Sequence, residues 1–449
     1  MTARQTTRRA TRVQDREILR LAVPAFLALV AEPLFLLADA AIIGHLGTPS
    51  LAGLGVAAAV LQTVVGLCVF LAYGTTAGVA RKLGAGDLRG ALAQGVDGIW
   101  LAIGLGAVIT VVGVLATGPL VAAFGPVPEV RDAAETYLRI AFLGTVPLLV
   151  MLAATGVLRG LQDTQTPLVV AVAGNALNIV LNLVLVYPVG LGIAGSALGS
   201  VLAQVASAAA FLVVVVRGAR REHASLRPDL PGIRAAGRSG VPLVVRTLTL
   251  RAALLLTTYA VTAGAAAGEQ DVDLATHQLA MTLWTFLAFA LDAIAIAAQA
   301  LTGRLLGSGD VTGTRRTTDR MVRWGAWSGV VTGLLLAAAS PWLGRLFTGD
   351  PAVSDLLVPV LLVAALGQPV AGVVFVLDGV LIGAGDGRYL AWAGLLTFVV
   401  YAPVVLVLAA ASAGVVAIWV AMSGLFMGAR LAVLVHRARG DAWLVTGAA

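Results

Sequence analysis

A chain of 449 residues that is 59% hydrophobic and only 12% charged, with a mean hydropathy of +0.95, has too little polar surface for a soluble globular protein. Its net charge of +7 does not indicate nucleic-acid binding, because the basic residues are scattered over short connections without interleaved aromatics. The single cysteine, Cys68, excludes an internal disulfide and reads as a small core residue.

Residues 1–16 are polar and arginine-rich. No small-residue cleavage site follows a short apolar core, so the first apolar stretch is expected to remain as a span. About 20 helical residues cross a bilayer. Twelve segments of spanning length follow, near 17–44, 50–80, 92–124, 132–158, 165–188, 192–216, 239–264, 274–303, 321–347, 353–382, 388–410 and 413–436. The predicted class is an all-α integral membrane protein of twelve transmembrane helices.

Span one carries Glu32 and Asp39, seven residues apart and therefore on one helical face. A carboxylate in hydrocarbon costs about 2.5 to 3.5 kcal/mol, and such groups mark ion, proton or substrate paths. Tyr137 opens span four, and Asn175, Asn178 and Asn182 line one face of span five at i, i+3 and i+7. Ser200 lies about eight residues into span six. Asp39, Tyr137, Asn182 and Ser200 fall at comparable depth, in the half remote from the basic N-terminus, and could converge in one pocket.

Residues 217–238, rich in Arg with Pro228 and Pro231, form a linker. Beyond it, span seven carries Arg246 and Arg251, span eight carries His277, Gln278 and Asp292, and span ten carries Asp378. Opposite charges in apolar helices pair, so a bridge from Arg251 to Asp292 or Asp378 is the structural expectation. The functional alternative is a second proton or substrate site at Glu32, Arg251, His277, Gln278, Asp292 and Asp378. Gly383-Ala-Gly-Asp386 lacks the Lys-Ser/Thr ending and preceding strand of a phosphate loop.

Most Lys and Arg residues lie at the N-terminus, on the even-numbered connections or at the C-terminus, whereas the odd-numbered connections hold only Arg131 and Arg345. The positive-inside rule then predicts that both termini are cytoplasmic. Two matches at an offset of 223 reveal a repeat: Ala80-Arg-Lys-Leu-Gly-Ala-Gly-Asp87 with Gly303-Arg-Leu-Leu-Gly-Ser-Gly-Asp310, and Val157-Leu-Arg-Gly-Leu-Gln-Asp163 with Val380-Leu-Ile-Gly-Ala-Gly-Asp386. The predicted organisation is a basic N-terminus (1–16), a first lobe of six spans (17–216), the linker (217–238), a second lobe (239–436) and a tail (437–449). Substrate is expected between the lobes, with rocking to alternate its access.

These twelve spans, the Glu-Pro-x5-Asp pattern at Glu32, Pro33 and Asp39, Gly44-His-Leu-Gly47, the Arg-x-Leu-Gly-x-Gly-Asp connections and the run from Arg159 to Pro167 resemble the multidrug and toxic compound extrusion (MATE) transporters. The DNA-damage-inducible protein F branch is the most similar in these features. The resemblance implies efflux of organic, often cationic, compounds driven by proton or sodium entry, with no cofactor beyond the ion gradient and no enzymatic activity. It also implies that Asp39, Tyr137, Asn178, Asn182 and Ser200 form a cation-responsive site. In the family's archaeal sodium-binding pattern a second acid often stands on span five, where this chain has Asn182. That departure favours protons, with Asp39 as carrier, over sodium held at Asp39, Asn178, Asn182 and Ser200. The expected partners are small organic substrates and the bilayer of the plasma membrane, and the expected state is a monomer. A flippase for lipid-linked sugars is the first alternative. An intramembrane enzyme is the second, but it would normally present paired acidic motifs, whereas the buried acids here are mostly one per span.

Overall fold

The computed structural model describes residues 3–265 and 270–447; the side chains of residues 3–13 and of Glu32 lie outside the described residues. In chain order the helices are α1 (Ala3–Gly44), α2 (Thr48–Cys68), α3 (Phe70–Gly84), α4 (Leu88–Ala122), α5 (Pro128–Leu143), α6 (Thr145–Gly160), α7 (Gln165–Val186) and α8 (Gly192–Arg221). They continue with α9 (Leu230–Gly264), α10 (Gln270–Gly307), α11 (Val311–Phe347), α12 (Pro351–Gly383), α13 (Gly387–Ala410), α14 (Gly414–Val420) and α15 (Met427–Arg439). A π-helical turn, Ala421–Phe426, joins the last two.

No strand occurs among the described residues, and the all-α membrane class read from the hydropathy is the observed one. Among the described residues eleven helical stretches are long and apolar enough to cross a membrane, and α5 with α6, bent by 51° around Gly144, makes a twelfth when the pair is counted as one broken span. Backbone hydrogen bonds satisfied within each helix are what permit such segments in hydrocarbon. Large apolar side chains such as Leu115, Leu366, Trp327 and Trp392 face outward, as they do where lipid is the solvent.

The repeated connections have a common geometry. At Gly86, Gly309 and Gly385 the backbone turns left-handed, with φ of 80°, 77° and 73°, and Gln162 takes the same place with φ 67°. Each turn closes with two backbone bonds, as at Asp386 N–H to Leu381 C=O (2.9 Å) and Gly385 N–H to Ile382 C=O (2.9 Å), the Schellman arrangement. The aspartate that follows then meets the next helix. Asp87 and Asp310 accept from the Gly90 and Gly313 N–H groups at 2.8 and 2.7 Å.

The chain forms two compact units, one of Val23–Gly240 with Gly447–Ala449 and the other of Met1–Ala22 with Val241–Thr446. These boundaries differ from the lobes read off the sequence: residues 17–22 group with the second unit and the 217–238 linker with the first. Polar anchors account for the difference. Asp15 accepts from Arg320 Nε and Nη2 (2.7 and 2.6 Å) and from Trp324 Nε1 (2.9 Å), while Glu17 pairs with Arg304 at 2.5 Å, so the start of α1 is held to α10 and α11. In the first unit, the Asp229 N–H donates to Asp97 (3.3 Å) and Trp100 Nε1 to the Leu226 carbonyl (3.1 Å), tying the entry of α9 to α4.

Small residues set the closest helix approaches. A Cβ at Gly372 of α12 would strike the Gly325 carbonyl of α11, so no larger residue fits there.

Substituting Gly385→Ala places a Cβ in a left-handed turn with open space around it, so the cost is conformational, about 1 kcal/mol. The expected result is a lowered unfolding midpoint in detergent. Gly104→Ala, on the exposed face of α4, is expected to be neutral or mildly stabilising.

Candidate functional site

In the first unit, a buried polar cluster is assembled from α1, α5, α7 and α8. Asp39, 3% exposed, sits just over a turn before the end of α1. Its Oδ1 accepts from Asn182 Nδ2 and from Ser196 Oγ, both at 2.7 Å, and its Oδ2 accepts from the Tyr137 hydroxyl at 3.4 Å. The Asn182 amide also donates to Asn178 Oδ1 (2.9 Å), and Asn178 Nδ2 donates to Ser200 Oγ (2.9 Å). These bonds fix both amide orientations, since each NH2 faces acceptors.

Periodicity explains the convergence. Asn178 and Asn182 are one turn apart on α7, and Ser196 and Ser200 one turn apart on α8. A side chain at Gly199 would collide with Asn182, so this glycine lets the two helices bring their polar faces together. Nearby bonds hold α1 in register: the Tyr187 hydroxyl donates to the Ile42 carbonyl (2.8 Å) and Asn175 Nδ2 to the Ala31 carbonyl (3.1 Å).

The structure thus brings Asp39, Tyr137, Asn178, Asn182 and Ser200 into one network and adds Ser196, which the sequence reading missed. The signal for Ser196 was its place four residues before Ser200. All three donors to Asp39 are neutral. Asn182 Oδ1, fully buried, accepts no hydrogen bond among the described residues.

The second unit buries its charge differently. Asp378 of α12 pairs with Arg246 of α9 at 2.6 Å and with Arg430 of α15 through the same Oδ2. The expected bridge from Arg251 is replaced by these two. Arg251 lies five residues beyond Arg246, roughly 140° further round the helix, and is exposed. Arg430 was missed as a partner, although an arginine well inside the last apolar span was its signal.

His277 is fully buried, 0% exposed. Trp419 Nε1 donates to its Nδ1 (3.2 Å), so Nε2 carries the hydrogen of the neutral ring and meets Thr258 Oγ1 at 3.0 Å. Gln278 is exposed and Asp292 half-buried. The side chain of Glu32 lies outside the described residues. No group of three or more His, Cys, Asp or Glu suited to a metal ion occurs among them.

A family model described as MatE matches residues 24–184 and again 249–433. The chain is 32% identical to Protein DETOXIFICATION 44, chloroplastic, of Arabidopsis thaliana, over 92% of this chain and 80% of that protein. It is 31% identical to DNA damage-inducible protein F of Escherichia coli, over 66% of this chain and 64% of that one. A probable multidrug resistance protein NorM of Bradyrhizobium diazoefficiens is 30% identical over 94% and 92% of the two chains. Among solved structures, an outward-facing multidrug resistance MATE family transporter of the MOP superfamily aligns with a TM-score of 0.87 and 22% identity, covering 96% of each chain. At that identity the match speaks for the fold.

Asp378→Leu removes the shared acid and leaves Arg246 and Arg430 facing each other in an apolar interior. The expected loss of stability is about 3 to 5 kcal/mol, read as a lowered unfolding midpoint or failure to express. A variant with unchanged stability would show that the guanidinium groups find other partners at no cost.

Proposed function

The chain belongs to the MATE family of transporters, and from that premise we propose that it is a secondary active antiporter. In this reading it exports organic, cationic or amphiphilic compounds in exchange for protons by alternating access, and Asp39 carries the proton. The observation that carries the reading is a buried carboxylate, Asp39, that among the described residues is met by neutral donors and by no cation.

Such a site can change charge while Asp39 keeps its three contacts. A proton on Oδ2 donates to the Tyr137 hydroxyl oxygen, reversing the direction of the 3.4 Å contact, while Asn182 and Ser196 continue to donate to Oδ1. The site then carries no net charge, and its pocket can lose water. Pro24 and Pro33 interrupt the hydrogen-bond ladder of α1, so the helix that bears Asp39 can bend near them. Bending contracts the pocket and expels the exported compound.

Sodium fits this donor set less well. A sodium ion needs oxygen ligands, yet Asn182 and Ser196 turn hydrogens toward Asp39, and Asn182 Oδ1 is the side-chain oxygen of the network that lacks a hydrogen-bond partner among the described residues. The arginine-rich connections support cytoplasmic termini in a plasma membrane. One chain holds both units, so a monomer suffices.

Asp39→Asn reproduces the protonated state, because the amide accepts at one atom and donates at the other. In proteoliposomes with separately imposed proton and sodium gradients, the variant is expected to lose coupled efflux of organic cations. Its stability should stay within about 1 kcal/mol of the parent. Robust proton-driven efflux by the variant refutes the role, and efflux that follows only the sodium gradient overturns the proton assignment.

A further inference from the structure

At the arginine-rich face of the first unit, the ends of α4, α6 and α8 enclose a cavity of about 340 Å³. Its wall is apolar, formed by Leu92, Leu158, Leu161, Val214 and Val215, and Arg217 and Arg221 stand at its rim. These arginines are one turn apart on α8, so both guanidinium groups leave the same helical face. Both are exposed, and neither has an ion-pair or hydrogen-bond partner among the described residues.

The one acid in the lining is already occupied. Asp163 Oδ1 accepts from the Gln165 and Thr166 N–H groups at 3.0 and 2.9 Å, and Oδ2 accepts from the Thr166 hydroxyl at 2.5 Å, so this carboxylate caps α7. The cavity therefore joins two uncommitted cations to a hydrocarbon wall. Val213 and Val214, 46% and 39% exposed, mark the lipid-facing side of α8 beside it.

We propose that this cavity binds an anionic phospholipid of the cytoplasmic leaflet, its phosphodiester held between Arg217 and Arg221 and an acyl chain laid against Leu158, Leu161 and Val214. A free anion would satisfy the guanidinium groups but leave the apolar wall wet, whereas a zwitterionic lipid carries an ammonium group that opposes the arginines. An anionic lipid satisfies both surfaces at once. The leaflet follows from the orientation proposed above; the cavity and its charge do not depend on the transport reading.

The test uses the full-length protein in nanodiscs and counts bound phosphatidylglycerol by native mass spectrometry, with phosphatidylcholine discs and added inorganic phosphate as comparison arms. Arg217→Gln with Arg221→Gln is compared with Arg220→Gln with Arg234→Gln, which removes equal charge on the same membrane face but away from the cavity lining. The expected result is one tightly bound phosphatidylglycerol in the parent and in the control, with affinity reduced roughly 30-fold in the Arg217/Arg221 variant, as two surface charges would give. Equal melting of the variants in phosphatidylcholine verifies that both fold. Equal phosphatidylglycerol binding by the two variants overturns the proposal. So does phosphate that displaces the lipid or protects as well as it does, or phosphatidylcholine that binds as tightly.

Discussion

A carboxylate placed among apolar helices survives only if hydrogen-bond donors stand in for the water it has lost. At Asp39 that requirement reaches across the whole first unit. Donors come from α5, α7 and α8, so those helices must keep both depth and rotation relative to α1. A slip of one residue on α7 would turn Asn182 away by roughly 100° and uncover the carboxylate. The bonds at Ile42 and Ala31, and the missing side chain at Gly199, all serve to hold that register.

The second unit is descended from the same helical plan, yet it meets the same constraint with fixed charge. Asp378 is opposed by two guanidinium groups, so its neighbours cannot be neutral in any working condition. The first unit surrounds its acid with groups that donate or accept as needed. This difference in chemistry separates an acid met by neutral donors from one whose fixed charges brace three helices, and it arises although the connections of the two halves still share their turn geometry.

Much of this architecture is visible in the sequence, because a bilayer converts hydropathy directly into helices. The repeated Gly-Asp connections are equally plain, since a left-handed residue followed by a capping aspartate leaves a compositional trace at Gly86-Asp87, Gly309-Asp310 and Gly385-Asp386. Depth along a span could be reckoned for Asp39, Tyr137, Asn182 and Ser200 by counting residues. Helix rotation could not be, and that is where the reading of Arg251 failed: an apolar helix surrounded by lipid and protein shows no polar face to fix its phase. Ser196 was overlooked for a related reason, as a serine in a membrane helix usually bonds its own backbone. The bend at Gly144 and the π turn before α15 leave no mark distinguishable from the many other glycines and small residues.

Helix α1 begins in the unit formed mainly by the second half of the chain and ends in the other; α9 begins in the unit of the first half and continues in its own. The leading helix of each half is thus divided between the two units. Neither half can be excised as one contiguous fragment without taking a piece of its neighbour. The sequence repeats therefore do not coincide with the compact units: each unit takes in the leading helical segment of the half whose bulk lies in the other.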